Sequence, residues 1–487
     1  MNWKLALLVV LVVAVGNWGW GQTLVSGDVS GDWTLAGSPY IVMGHCTVTS
    51  GDTLTIHPGV LVTFNGYYYL VAYGTLIAEG TASDSIVFTS NFGNPNPGDW
   101  RYVEVINPSA MNSRFRYCNF SYGDRGVYAD NTTVNVRNCK FWQFSGRGIY
   151  TVDTDGEIRD CVIINSGRGM KIENGTVLVD HCSITGNDFA GISTSANAIV
   201  TIQYCNISDN TQQGIELTDG SSGQVLWNTI LRNELDGIYV AGAGDTVFVD
   251  RNVVAGNQDG VYISIATVIA WNNTITQNDL HGVFFYNSHL RLGNCIVDRN
   301  GNSGVYCQSS TYWFFYNDVW DNTVGDYNGC LPGAGCFSDD PEYVNPSSGG
   351  NGDYHLLETS PCIDTGYPFS ALDPDGTRAD VGAYYYNQLG VPNSKETVVP
   401  EDVWLGESYP NPFNESTVIP FRIYHAALVK IVVYDVLGRE VAVLFNQWAG
   451  AGENQVLWEA EGFPSGIYYI ILQSSNVTRV QKVVRLK

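Results

Sequence analysis

The sequence is short of charge. Only 15% of its 487 residues are Asp, Glu, Lys or Arg, and basic residues are outnumbered by acidic ones, 24 to 48. The resulting net charge of −24 excludes a nucleic-acid partner, since phosphate binding needs a basic surface. An acidic surface suits a soluble extracellular protein and is compatible with divalent cations. No helical period is sustained after the first twenty residues, which excludes helical bundles and helical repeats. There is no Ser/His/Asp arrangement, P-loop or dinucleotide fingerprint, and no CxxC or His-x-His pair to mark zinc. Beyond the first residues, no apolar run is long enough to cross a bilayer.

Apolar residues make up 44%, and the 53 glycines and 29 tyrosines point to a β-rich, turn-rich chain. Its length exceeds one compact core, which implies several domains or an elongated repeat. The opening "MNWKLALLVVLVVAV" sets Lys4 before an apolar run from Leu5 to Val15, and Gly19 and Gly21 are small enough for cleavage before Gln22. Residues 1–21 are therefore expected to be a secretory signal peptide. No Cys stands at that boundary, so lipid attachment is not expected.

A loose pattern returns through the middle of the chain. "CSITGNDFAGI" (Cys182 to Ile192) is followed by "CNISDNTQQGI" (Cys205 to Ile215) and "NTILRNELDGI" (Asn228 to Ile238). Alignment gives ten rungs at Cys118, Cys139, Cys161, Cys182, Cys205, Asn228, Asn252, Asn273, Cys295 and Asn317, spaced 21 to 24 residues apart. A Gly follows in nine of them, from Gly126 to Gly304, each before Ile, Val or Met. A second Asn column, from Asn187 to Asn322, lies five residues after the first. A fixed period of this length means stacked units, none able to bury its apolar face alone. Each unit holds short Ile/Val/Tyr strands between Asn, Gly and Asp turns, with no room for a helix. A parallel β-helix fits, with equivalent strands about 4.8 Å apart. The Asn columns then suit left-handed turns and amide-to-amide stacking, and the Gly suits a tight bend.

These coils resemble the right-handed parallel β-helix repeats of secreted bacterial proteins and carbohydrate-active enzymes. "SGDTLTIHPGVLVTF" and "GTLIAEGTASDSIVFTS" (Ser50 to Ser90) resemble the first coils of that group, and "DDPEYVNP", "DYHLLETSPCIDTG" and "DPDGTRADVGAYYY" (Asp339 to Tyr386) its closing coils. The resemblance implies an all-β solenoid over residues 22–386. It does not choose a function, because the group includes lyases, hydrolases, epimerases and adhesins.

Eleven cysteines in an exported chain raise the question of disulfides. The rungs that carry Asn keep the pattern, so the Cys column reads as small inward side chains with unpaired thiols. "CLPGAGC" differs: its short loop could close a Cys330–Cys336 bridge.

After Tyr386 the repeat stops. Residues 387–403 read as a linker and 404–487 as a small β-sandwich of alternating strands, with "DVLG" (Asp435 to Gly438) as a hairpin turn. The motifs "PNPFN" (Pro410 to Asn414), "YDVLGREV" (Tyr434 to Val441), "PSGIYYI" (Pro464 to Ile470) and "KVVRLK" (Lys482 to Lys487) closely resemble the C-terminal sorting domain of type IX secretion cargo. That resemblance implies the type IX machinery as a partner. It also implies export to the exterior or surface of a Gram-negative cell, with removal of the domain and surface attachment.

Three constellations are candidates for chemistry. Arg125, Arg147 and Arg168 precede the Gly in successive coils, with Lys171 close by, and would stack into a basic stripe suited to carboxylates or sulfates. Arg147, Arg168 and Lys171 are also the candidates for proton abstraction beside a uronate. Later coils carry Asp236, Asp259 and His281 at the same position, where carboxylates one coil apart could act as an acid/base pair. "DPDGTRAD" offers Asp373, Asp375 and Asp380 as Ca²⁺ ligands, though Tyr384 stands where a calcium loop would carry Glu. In "YWFFY" (Tyr312 to Tyr316), alternation predicts that inward rings are core and outward rings are free to stack on sugars. Short loops between rungs argue against a walled catalytic cleft. The expectation is a surface-attached rod that binds extended carbohydrate or serves as an adhesive structure. The alternative is a lyase or hydrolase of acidic polysaccharide.

Overall fold

The computed structural model describes residues 22–107, 112–347, 349–388, 403–406, 408, 410–423, 427–435, 439–449, 452–474 and 477–486. The expected signal peptide and most of the expected linker lie outside these residues. The chain divides into two compact units, residues 1–389 and 390–487.

In the first unit each coil contributes three short strands, for example Thr176–Asp180, Ser183–Thr185 and Ile192–Ser195. Equivalent strands pair in parallel, one coil to the next: Val177 with Val200, Ile184 with Ile207, Ile192 with Ile215. The first strands form a 13-stranded sheet, here the first ladder. The second and third ladders run side by side and are joined through Tyr40–Val48, which pairs with both Leu61–Phe64 and Leu70–Ala72. Alternate side chains point inward and stack on their own kind. Phe88, Phe120 and Phe141 lie with ring centroids 4.6 and 4.9 Å apart, and buried Ile163, Ile184, Ile207 and Ile230 continue the column. Each such side chain contributes roughly 1.5–3 kcal/mol of burial, and one 21–24-residue period suffices to repeat it.

The corners correct the sequence reading. The rung Asn and Cys residues are not in left-handed conformation; the residue before each one is. Asn138, Asp160, His181, Tyr204, Trp227 and Arg251 have φ between 51° and 57°. A left-handed residue turns the chain, and the next side chain then points into the coil. There the Asn amides form a ladder: Nδ2 of Asn228 donates to Oδ1 of Asn252 (3.0 Å), and Asn252 to Asn273 (3.0 Å). The second column does the same from Asn187 through Asn210, Asn233, Asn257, Asn278 and Asn300 to Asn322.

Cys substitutes for Asn because it reaches the same acceptors. Cys205 Sγ donates to the carbonyls of Gln203 and Val179, as Asn252 Nδ2 does to Asp250 and Val225. The column thiols are reduced and buried, and Cys330 and Cys336 are not bridged. The repeat glycines are required by space rather than by φ: a Cβ on Gly260 would stand 2.4 Å from Ile275 Cγ2 and 2.5 Å from the Gly282 carbonyl.

The expected closing coils do not continue the stack. Residues 339–388 leave it and lie as a strap over the outer side of the second ladder. Tyr343, Tyr354, Leu356, Cys362, Val381 and Ala383 pack there on Val253, Ala255 and Ile296. Tyr343 Oη donates to Asp298 (2.9 Å), and the Ala383 N–H donates to Thr274 Oγ1 (3.0 Å). A solenoid exposes its ladders on the outside, and this segment covers one of them.

The second unit is two antiparallel sheets, one of three strands and one of four. Phe413, Ile419, Phe421, Ile431, Trp458 and Ile470 lie in its core. Residues separated in sequence meet at one place. The Asn411 side chain bonds Lys482 O and the Val484 N–H, and the Phe413 N–H donates to Val484 O. Tyr468 Oη donates to Pro464 O (2.8 Å). Strand pairing sets Tyr469 beside Lys482 on one side and Tyr434 on the other, so the described parts of all four sorting motifs adjoin; residues 436–438 lie outside the described residues.

Candidate functional site on the third ladder

The third ladder places the first two candidate clusters on one outer face. Register pairs Arg125 with Arg147, and Arg147 with Arg168. One coil earlier Arg101 continues the row, its carbonyl accepting from the Arg125 N–H (2.8 Å). Sequence reasoning missed Arg101 because its coil has Tyr102 where the others have Gly; the shared Arg-x-Val of Arg101 to Val103 was the available signal.

Tyrosines flank the row. The Arg125 guanidinium lies 5.4 Å from the Tyr128 and Tyr150 rings, Arg147 lies 4.6 Å from Tyr150, and Arg101 lies 4.9 Å from Tyr102. Arg125 has a carboxylate neighbour in Asp124, at 3.6 Å. Nε of Arg147 and of Arg168 is buried with no hydrogen-bond partner among the described residues. Burial is the main cause that draws the Arg168 pKa downward, with Glu216 opposing it. At the foot of the row burial, reinforced by Asp130, pushes the Glu104 carboxyl up to about 7.

Lys171 stands in the same face with its side chain only 12% exposed. Its Nζ donates to Ser193 Oγ (3.3 Å), which donates to Glu216 Oε2 (2.6 Å). Glu173 lies 3.9 Å away and is held by Tyr150 Oη at 2.7 Å. Burial lowers the Lys171 pKa, and Glu173 works against that. Arg147, Arg168 and Lys171 are thus brought together, as the sequence suggested.

Asp236, Asp259 and His281 form a separate cluster farther along. Ala190 and Gln213 occupy the two coils between, so Arg168 and Asp236 stand roughly 14 Å apart along the axis. The Asp259 carboxylate accepts from the His281 N–H (2.8 Å) and contacts its Nδ1 (2.9 Å), and the imidazole stacks on Tyr306. Burial first, and Asp259 second, push Asp236 up to about 7. Tyr239, Tyr262 and Phe284 form a stacked aromatic row alongside.

The calcium reading is not supported by the geometry. Asp373 accepts from the Asp380 N–H, Asp375 from Thr377 and Gln388, and Asp380 from the Asp364 and Tyr386 N–H groups. These carboxylates serve the strap's own turns. Among the described residues no three His, Cys, Asp or Glu side chains are arranged to hold a metal ion. The aromatic alternation holds: Phe314 is buried and Trp313 is 49% exposed.

The stacked ladders and their inward Asn/Cys rungs define a parallel β-helix repeat protein. The chain belongs to the right-handed β-helix family, whose model matches residues 71–200, 102–254 and 190–339. The C-terminal segment, residues 407–486, matches the secretion system C-terminal sorting domain, and this is a type IX sorting tail.

Among solved structures, a point mutant of the periplasmic alginate epimerase AlgG is similar at 12% identity and a TM-score of 0.50, covering 59% of this chain and 84% of that one. The A-module of the mannuronan C-5 epimerase AlgE4 from Azotobacter vinelandii is 14% identical at a TM-score of 0.42, with 63% and 90% covered. Pectate lyase Pel9A is 14% identical at 0.35, with 70% and 89% covered. At these identities the likeness is one of fold. No curated protein matches the chain.

Proposed function

We propose that this protein is an exported, surface-attached rod of a Gram-negative bacterium that binds extended anionic polysaccharide along the outer face of its third ladder. One observation carries the reading. In a chain with a net charge of −24, four arginines stand in register on one face, and Nε of Arg147 and of Arg168 is buried without a hydrogen-bond partner among the described residues. A row of guanidinium forks suits acidic groups repeated along a polymer, and the interleaved tyrosines suit the faces of sugar rings. The alginate epimerase that shares the fold acts on a ligand of this class.

A second reading rests on Asp236, whose carboxyl burial and Asp259 push up to about 7, so that it titrates near neutrality beside the Asp259–His281 pair. Such a group donates a proton at neutral pH, which would make the same face that of a hydrolase or lyase.

The test is retention of the full chain on immobilised polygalacturonate, alginate and heparin, with new unsaturated or reducing ends followed in parallel. Retention that weakens at least tenfold in the Arg147→Ala/Arg168→Ala double variant, without new ends, supports the binding rod. New ends that vanish in Asp236→Asn or Lys171→Ala support the second reading. Neither retention nor cleavage leaves a surface structure and overturns both.

A further inference from the structure

The first ladder presents a different outer face, and its basic residues follow a rule with one exception. In the early coils each is matched by acids of neighbouring coils. Arg114 pairs with Glu79 (3.0 Å), Arg137 with Glu157, and Arg159 with Glu157 (2.7 Å) and Asp180 (2.8 Å). Arg291 departs from this. It lies in an outward column with Phe248, Ile269 and Trp313, one residue per coil. No carboxylate among the described residues pairs with it, and its guanidinium rests 5.5 Å from the Trp313 ring centroid. Beside this column runs a second, in which Thr267, His289 and Thr311 are in register. Thr246, Thr267, Ile269, His289, Arg291 and Trp313 line a shallow open depression of about 410 Å³, within the size range of small-ligand sites. Trp313 is 49% exposed, and Phe248, next to Ile269 in the column, is 43% exposed.

We propose that this depression is a second glycan site, distinct from the arginine row, which takes a sugar ring bearing a carboxylate or sulfate. A pyranose has an apolar face and a rim of hydroxyls. Ile269 and the part of the Trp313 ring that Arg291 leaves open supply apolar surface, and Thr246, Thr267 and His289 supply hydrogen-bonding groups. Arg291 is a planar donor fork with its charge unmatched by the protein, which selects the acidic sugar over a neutral one. The Trp313 ring beneath it holds the guanidinium in place before a ligand arrives.

The experiment is calorimetric titration of the full chain at low salt with a hexamer of galacturonic acid, a heparin-derived hexasaccharide and neutral cellohexaose. The expected result is two classes of site for at least one anionic hexamer, and cellohexaose at least tenfold weaker. Arg291→Ala and Trp313→Ala should each weaken one class tenfold or more. Arg147→Ala/Arg168→Ala should remove the other. Arg291 is exposed, so its variant keeps the test valid if Trp313→Ala melts early. A single class lost only in the arginine-row double variant overturns this inference and leaves the proposed function standing. A single class lost only in Arg291→Ala and Trp313→Ala supports it and overturns the arginine row. Binding indifferent to all four substitutions, tighter binding of cellohexaose, or no binding of any hexamer overturns it.

Discussion

At the scale of single residues, the buried asparagines of the inner ladder bind the coils on both sides. Asn233 Oδ1 accepts from both the backbone and the side chain of Asn210, and its own Nδ2 donates to Asn257 and to Ile207 O. Asn233→Leu strands two buried donors, and is expected to cost about 2–4 kcal/mol, read from urea denaturation. Cys205→Asn is expected to stay within about 1 kcal/mol of the parent, because the rungs on Asn228 and Asn252 already meet the same carbonyls with an amide. The alternation of Cys and Asn was legible in the sequence as one column. The left-handed corner before it was not, since positions such as Trp227 and Arg251 carry residues that no propensity assigns to a turn. Neither was Arg101, whose place in the row becomes visible only through strand register.

At the scale of elements, the ladders were readable because each repeats its own burial pattern from coil to coil, thirteen times in the first ladder. The strap was not readable, since a segment that occurs once has no period to betray it, and partners such as Asp298 for Tyr343 and Thr274 for Ala383 are 45 and 109 residues away. It also buries acids. Burial, opposed by Arg299, pushes Asp298 up to about 6, and burial pushes Asp318 up to about 7. Both folded values lie above the ordinary carboxyl value near 3.9. The neutral forms therefore favour the docked strap, an effect fully present below pH about 4 and lost as pH rises through 6 to 7. Hydrogen-exchange protection in residues 339–388, taken relative to the intrinsic rate at each pH, is expected to be higher at pH 5 than at pH 8. Asp318→Asn is expected to flatten that difference; an unchanged pH dependence would show that Asp318 does not govern docking.

At the scale of the whole molecule, the solenoid is a one-dimensional stack in which each coil touches chiefly its neighbours. Deleting residues 205–227 removes one full turn and puts Asn228 in the place of Cys205, next to the rung of Cys182. The shortened chain is expected to keep its β circular dichroism and a single melting transition, whereas deleting residues 205–215 is expected to lose both. The same deletion draws the arginine row about 4.8 Å closer to Asp236, with the chemistry of each cluster intact. The fold class was open to the sequence because period and composition agree on it. The two candidate clusters were named from their places in the repeat, but their separation by two coils along one face required the coordinates.

The Asn and Cys rungs have a consequence for how such a chain changes over generations. Every rung presents the same hydrogen-bonding surface upward and downward, so a copied coil meets its neighbours with no mismatched seam. Duplication of one 21–24-residue segment would add one outward side chain to each row on each face. The rod would then lengthen its outward rows in whole steps, and a point substitution at Arg168 or Ala190 would change the chemistry of one step while leaving the count alone. The length of each outward row and the chemistry of its steps are thereby separate heritable traits of this molecule.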